Sequence, residues 1–557
     1  MKLPLGIDDF RKMRTRNLYY VDKSEFIYEL LSESFEVNLI TRPRRFGKTL
    51  TMSMLAEFFD IRKDSRELFE GLAISRRTAF CQEWMNQWPV LFLTLKDADG
   101  KDFRQAYGLL QFILASLCIE HAYLGKSEKV DEDDKIQFAR LKSRESTVEE
   151  LQSGLFLLTR MMASHYGKEV ILLIDEYDVP LSKADDNRYY DDMLNIIRRL
   201  LGMAWKTNPF LKFAVVTGCL HIAKESIFTG ANNFILRSIS HKHYDRWFGF
   251  LEEEVVRILS DAGLSNQLAQ MKRWYDGYRF GRREVYCPWD VVNYVNELLS
   301  DSGTFPANYW KDTSHNGIIR RFIDMKGMQV HDKFEILLAG GVIQEQLVVD
   351  LTYDLVHSNE ENLWSILYLT GYLTKAAPEA YPAGFCLEEG KTALRIPNEE
   401  VKTIFADTVA QWFAEGLEAM DRTKFFQAWW DGDEESLTRM VTDILFDTIS
   451  YFDDKEDYYH AFVAGLFAGA GYEVSSNSEQ GAGRADVVVR DRRNRRAMII
   501  EVKRSKAEEQ MVKDCQKAAE QIRKMQYAKQ LLKGYRKVLC FGAAFFGKEC
   551  LIRYYSS

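Results

Sequence analysis

The 557-residue sequence predicts an α/β fold whose first domain is a parallel sheet, and three stretches carry that expectation. Val37–Thr41 is a short apolar run that passes through Arg42-Pro43-Arg44-Arg45-Phe46-Gly47 into a helical pattern reaching Phe59. Residues 169–176 form an apolar run closed by two carboxylates, and residues 212–218 form another with the polar Thr217 near its end. Strands apolar on both faces belong to parallel sheets covered by helices, and their ligands bind outside the carboxyl ends of the strands.

The turn after the first strand ends in Gly47-Lys48-Thr49, and strand, turn and helix in that order build a phosphate cradle. Backbone N–H groups at the helix start face the anion, Lys48 reaches its outer phosphates, and the Thr49 hydroxyl can hold Mg²⁺. Gly-Lys-Thr also closes ordinary loops, and Arg42 stands where such cradles usually have glycine. The downstream carboxylates favour the cradle. Asp175 completes a Mg²⁺ shell and Glu176 positions or deprotonates the attacking water, so the expected ligands are ATP and Mg²⁺. A core strand followed by a solvated turn is the bland alternative. The nucleotide pocket comprises Arg44, Arg45, Phe46, Gly47, Lys48, Thr49, Leu50, Asp175 and Thr217, with Thr49 and Asp175 on the metal and Glu176 catalytic. Thr217 stands where additional-strand ATPases place a group that senses the γ-phosphate, although threonine ends many strands.

The other elements follow in order. Residues 1–36 contain Asp22-Lys23-Ser24 and an amphipathic run over 26–31 that Ser24 is expected to cap; the segment could line the base side of a nucleotide. Residues 90–95 read as a second core strand. Residues 103–165 have helical spacing, with Asp131-Glu132-Asp133-Asp134 expected as a loop between helices, and 189–205 is a further helix. Four strands interleaved with helices give a three-layer nucleotide-binding domain. Residues 289–400 are mostly helical. A helix–strand–loop–strand order from Leu363 to Asn398 suits a winged-helix-like lid, which transmits nucleotide state in preference to binding DNA. Residues 399–446 are helical again, broken near Asp431-Gly432-Asp433, with Trp429 and Trp430 as packing residues. The expected domains are 1–285, 286–445 and 446–557.

Charge separates the two ends of the chain. From Arg484 on there are 19 lysines and arginines against 8 acids, in a chain of net charge −8, so a basic module follows an acidic body. Such a module suits nucleic acid, DNA foremost, although a basic solvated face has the same composition. Eight cysteines with no Cys-x-x-Cys pair suit reduced core thiols better than a zinc site or disulfide framework. The N-terminus lacks a signal-like apolar segment, and no apolar run approaches about 18 residues, which predicts a cytoplasmic protein with no membrane partner. A homo-oligomer is open.

The last hundred residues hold a second constellation. Residues 459–467 read as a packed helix, 472–474 open a strand, and 476–484 form a glycine-bearing turn. Residues 485–489 and 498–503 are two strands joined by a basic loop from Arg490 to Arg496. Asp486 enters one strand, and Glu501 and Lys503 share a face of the other. Two carboxylates with open coordination positions suit Mg²⁺, and a lysine beside them orients the nucleophile. On spacing alone, a solvated salt-bridged strand pair is the better account.

Longer motifs reverse that preference. Asp22-Lys23-Ser24, Arg42-Pro43-Arg44-Arg45-Phe46-Gly47-Lys48-Thr49 and Ile174-Asp175-Glu176-Tyr177-Asp178 resemble the bacterial AAA-ATPase-like family. So do Ala223-Lys224-Glu225-Ser226-Ile227-Phe228-Thr229-Gly230, Trp274-Tyr275-Asp276-Gly277-Tyr278-Arg279-Phe280 and Tyr309-Trp310-Lys311-Asp312-Thr313-Ser314. The resemblance, over residues 4 to 400, implies a P-loop NTPase three-layer parallel sheet in which an arginine-rich, glycine-poor loop is normal. Residues 477–486 and Ile500-Glu501-Val502-Lys503 resemble a C-terminal module of the PD-(D/E)XK nuclease superfamily, over 451–555. That implies a restriction-endonuclease-like α/β domain with Asp486 and Glu501 as metal ligands and Lys503 as catalytic lysine. Glu479, Gln521 and His460 are weaker additions. The superfamily includes junction resolvases, restriction enzymes and inactive members, so the substrate does not follow. An ATP-driven signalling or scaffold switch with an inactive or merely nucleic-acid-binding C-terminal domain is the competing class.

Overall fold

The computed structural model describes residues 1–33, 35–220, 234–310, 330–338, 340–348, 360–382, 384–406, 422–448, 456–468, 470, 472–480, 483–525, 527–532 and 534–555. They fall into two compact units: residues 1–310, 345–375 and 390–392, and residues 311–344, 376–389 and 393–557. Among the described residues no helix is long and apolar enough to cross a membrane, and the eight cysteines are all free thiols.

The first unit is built on five strands, β1 (Val37–Thr41), β2 (Val90–Thr94), β3 (Val170–Asp175), β4 (Leu211–Gly218) and β5 (Phe234–Arg237). All pair in parallel, in the order β2-β3-β4-β1-β5. β1 and β3 are buried along their whole length, which is why they read as continuous apolar runs. On one face Val170, Leu172 and Ile174 join a core with Leu110, Leu158 and Leu200 of helices Phe103–Glu120, Gly154–Tyr166 and Tyr190–Trp205. Helix Lys48–Phe59 packs against β3 from the cradle side. Because β4 lies between β1 and β3, the cradle, Thr217 and the Asp175–Glu176 pair meet at the carboxyl ends of these central strands.

Two local expectations need correction. Asp131 does not sit in a loop but caps helix Glu132–Ser143, its Oδ1 accepting the Asp133 N–H at 2.9 Å, and the following acids occupy the positive helix start. Ser24 does not cap helix Phe26–Ser32; its Oγ accepts the Ile74 N–H at 3.1 Å, while Asp22 takes the N–H of Ala73 at 2.7 Å. Asp22-Lys23-Ser24 is thus a brace, completed by the Lys23–Glu254 ion pair at 2.7 Å.

The hairpin of β6 (Tyr278–Phe280) and β7 (Arg283–Val285) follows, and helices Glu252–Asp261, Leu268–Tyr275 and Pro288–Ser300 share a core around Tyr275, Tyr286 and Tyr294. Along the chain, short strand β8 (Ile343–Glu345) precedes helix Glu360–Leu369, and β9 (Thr374–Lys375) and β10 (Thr392–Arg395) follow it in the helix–strand–loop–strand order expected from Leu363 on; β8 is not among the expected elements. Residues 223–230 and 311–314, which contribute to the family resemblance, lie outside the described residues, as does 407–421 of the expected helical stretch.

The second unit carries β11 (Glu473–Gln480), β12 (Gly483–Asp491), β13 (Arg496–Arg504), β14 (Lys537–Phe546) and β15 (Glu549–Tyr555) in that spatial order. The pairs are antiparallel except β13–β14, which helix Met511–Met525 joins as a parallel crossover. The glycine-bearing turn is shorter than expected. Most of that stretch is strand: β11 pairs with β12 as far as Gln480 opposite Gly483, and residues 481 and 482 lie outside the described set. Trp429 and Trp430 are buried, as expected of packing residues; Trp429 meets Phe541 at 5.0 Å.

Candidate nucleotide and metal sites

The cradle forms because β1 delivers the chain into a turn with two left-handed residues, Arg45 at φ 71° and Gly47 at φ 83°. The first helical bond inside the following helix runs from Thr51 N to Gly47 O, so the N–H groups of Lys48, Thr49 and Leu50 precede it and have no carbonyl one turn back. Lys48 is almost fully buried. Its Nζ donates to the carbonyls of Arg42 and Pro43, each at 3.2 Å, and pairs with Glu176 Oε1 at 3.3 Å. Burial opposes its charge, but Cys219 and the carboxylates of Glu176, Asp178 and Asp175 hold its pKa above the ordinary value.

Asp175 is the hub. Its Oδ2 accepts the Thr49 hydroxyl at 2.8 Å and its Oδ1 the Thr217 hydroxyl at 2.5 Å. Burial and the neighbouring Glu176 raise this carboxyl, while the two hydroxyls and Lys48 pull it back. A threonine hydroxyl beside a carboxylate at the end of an anion-binding turn is a hard-oxygen pair that fits Mg²⁺. Glu176 stands at φ 53°, a left-handed conformation that a non-glycine residue adopts only where its surroundings impose it. The flanking residues do so: Tyr177 N–H reaches Thr217 O at 3.0 Å, and Tyr177 Oη donates to Leu220 O at 2.8 Å.

Of the pocket residues expected, Lys48, Thr49, Asp175, Glu176 and Thr217 converge. The Phe46 side chain does not, since its ring is buried against Tyr278 and Phe280, each at 5.0 Å. Arg45 is exposed and lies over Trp289 at 4.1 Å. Arg44 and Leu50 are half-buried on the turn and the first helical turn. Arg42, in the usual glycine position, points inward: its guanidinium binds the carbonyls of Thr41, Arg237 and Tyr244 at 2.8, 2.7 and 3.2 Å.

Asp178 and Cys219 were not assigned from sequence. Asp178 Oδ2 accepts the N–H groups of Cys219 and Leu220, each at 3.0 Å, and burial, then Glu176, pushes its carboxyl to about 6. Cys219 Sγ lies 3.5 Å from Lys48 Nζ. Gly218 between them is obligatory, because a Cβ there would meet Asp178 Oδ1 at 2.6 Å. The repeated acids in Asp175-Glu176-Tyr177-Asp178 were the available signal for Asp178; a lone cysteine gives none.

In the second unit Val487 stands opposite Ile500, so Asp486 and Glu501 are the next residues on the two antiparallel strands and share a face with Lys503. Asp486 Oδ2 accepts the Val502 N–H at 2.9 Å. Lys503 Nζ lies 3.4 Å from Glu501 Oε1, 3.7 Å from Asp486 Oδ2 and 2.9 Å from Val502 O. Glu501 is fully buried, and burial, then Asp486, raises its carboxyl to about 8. Its Oε2 is a buried oxygen without a hydrogen-bond partner among the described residues. Two acids crowded into one dry corner, one oxygen orphaned, fit a divalent cation that would relieve both. No cluster of three or more His, Cys, Asp or Glu side chains forms among the described residues, so the carboxylates would share the ion with water. His460 Nε2 bonds Asp486 O and positions the strand; Gln521 is half-buried on helix Met511–Met525. Glu479 is on β11, and its side chain lies outside the described set.

Fold and sites define two classes, a P-loop-like α/β domain and a restriction-endonuclease-like domain. Residues 4–228 match the family model described as predicted AAA-ATPase, and residues 454–555 match that of the PD-(D/E)XK nuclease superfamily. The chain thus carries an AAA-ATPase-like domain followed by a nuclease-superfamily domain. It is 25% identical, over 502 residues, to a protein of Azotobacter chroococcum mcd 1 named "Uncharacterized protein in vnfD 5'region", covering 88% of this chain and 87% of that protein.

Proposed function

We propose that the first unit binds and hydrolyses ATP and that the second cleaves nucleic acid, DNA foremost. Lys48 and the N–H groups of the turn grip the phosphates, Thr49 and Asp175 hold Mg²⁺, and Glu176 takes the proton of the attacking water. Thr217 fixes the Asp175 carboxylate through its hydroxyl. In the second unit Asp486 and Glu501 hold the metal, and Lys503 orients the nucleophile. A divalent ion there, when bound, polarises the phosphodiester and acidifies water. The observation that carries the nuclease reading is the orphaned, buried Glu501 oxygen set against Asp486 and Lys503.

The test is incubation of the full chain with plasmid, branched and single-stranded DNA and with RNA, in Mg²⁺, with and without ATP. Cleavage by the natural chain and none by Lys503→Ala is expected. No cleavage of any substrate across a range of divalent ions overturns the nuclease.

A further inference from the structure

A cavity of about 600 Å³ opens in the second unit, apart from the carboxylate pair. Arg496, which lines it, begins β13, and Glu501 lies five residues further on. Alternation puts these two side chains on opposite faces of the strand, and five residues span about 17 Å. One wall is helix Arg422–Asp431, whose Thr423, Gln427 and Asp431 recur every fourth residue and form a single polar stripe along the cavity. Buried Phe426 and Trp430 of the same helix back that wall, and the half-buried Tyr472 ring and Arg496 plane are the stacking surfaces in front of them; Trp430 Nε1 donates to Tyr472 Oη at 3.2 Å. The Arg496 guanidinium lies 4.2 Å from the Trp430 ring centroid, and its Nε is bonded to Asp491 Oδ2 at 2.8 Å. A flat cation is therefore fixed in place on a ring.

This chemistry selects its occupant. Aromatic rings and guanidinium planes are the surfaces on which bases stack. A hydroxyl, an amide and a carboxylate along one stripe offer donors and acceptors to the edge of such a ring. The Asp431 carboxylate, with Arg496 already paired to Asp491, disfavours a phosphate inside. Phosphate belongs outside, where Arg493, Arg495 and Arg536 are exposed on the chain next to Arg496 or its strand partner Lys537. We propose that this cavity binds a nucleobase, with the attached phosphate on the basic rim. The base could come from a free nucleotide or from an unpaired position in a strand, and only the second source rests on the nucleic-acid reading of this unit.

The full chain carrying Lys48→Ala and Glu501→Gln, which silences both other sites, is titrated against two probes. One is a single-stranded oligonucleotide with one 2-aminopurine, the other 2-aminopurine riboside monophosphate. Stacking is expected to quench the probe, and Gln427→Ala with Asp431→Ala, both exposed helix positions, to weaken binding about tenfold. Arg493→Ala with Arg495→Ala weakens binding but leaves the quench at saturation. Quenching of the oligonucleotide alone assigns a strand base; quenching of both probes assigns free nucleotide as well. An oligonucleotide that binds without quenching, and equally well to the Gln427/Asp431 variant, overturns the cavity proposal and leaves the nucleic-acid reading standing. Binding of neither probe overturns the cavity proposal, while the nucleic-acid reading stands or falls by cleavage with the natural chain.

Discussion

A glycine is the ordinary occupant of the position held here by Arg42, and the structure explains the exchange. The guanidinium is fully buried, lies over Phe248 at 5.0 Å and satisfies three backbone carbonyls, two of them beyond β4 in sequence. Burial lowers its pKa to about 9, which leaves it charged at neutral pH. Arg42→Gly, though it restores the usual motif, should cost about 2–4 kcal/mol by orphaning those carbonyls. Chemical denaturation measures this, and an unchanged midpoint contradicts the brace. Glu176→Gln keeps the left-handed backbone and removes the base, so nucleotide binding should persist while hydrolysis falls by at least about a hundredfold. His121 gives a pH signature. Burial, then Arg62, lowers its pKa to about 4, below the ordinary 6.5. The unfolded chain therefore binds the proton first, and stability is lost as pH falls from 6.5 toward 4, with a slope approaching 1.4 kcal/mol per pH unit. His121→Gln should flatten that slope in denaturation curves; an identical slope contradicts it.

At the scale of elements, legibility followed burial. β1, β3 and β4 read directly from sequence because central parallel strands are apolar on both faces. β5 is not legible in sequence: Phe234–Arg237 is four residues long, lies at the sheet edge and is only partly buried, so it lacks a continuous apolar signal. The acidic run at Asp131 is ambiguous in sequence because acids mark both loops and helix starts, and only the cap geometry separates them. Asp131→Ala should therefore lower stability by about 1 kcal/mol, read by thermal melting followed by circular dichroism. Residues 476–480 read as a turn because Ser and Asn favour turns, whereas the pairing with β12 holds this segment extended. The convergence of Lys48, Thr49 and Asp175 was legible because a strand–turn–helix and an acid closing an apolar strand are local patterns. That of Asp486, Glu501 and Lys503 was legible because strand alternation puts them on one face. The Asp178 clamp was not, since it depends on the turn after β4 coming back against β3.

Across the whole molecule the claim is that one chain holds two separate places that grip phosphate, an Asp175-centred pocket in the first unit and the Asp486–Glu501 pair in the second. The acidic body and basic C-terminal module suit a nucleotide-driven domain joined to one that meets a polyanion. The most direct measurement is a crossed assay of nucleotide affinity and Mg²⁺-dependent DNA cleavage on Lys48→Ala and Glu501→Ala. Lys48→Ala should lose nucleotide binding, and Glu501→Ala should lose cleavage while binding nucleotide like the natural chain. Cleavage that survives Glu501→Ala, or nucleotide affinity untouched by Lys48→Ala, contradicts the account.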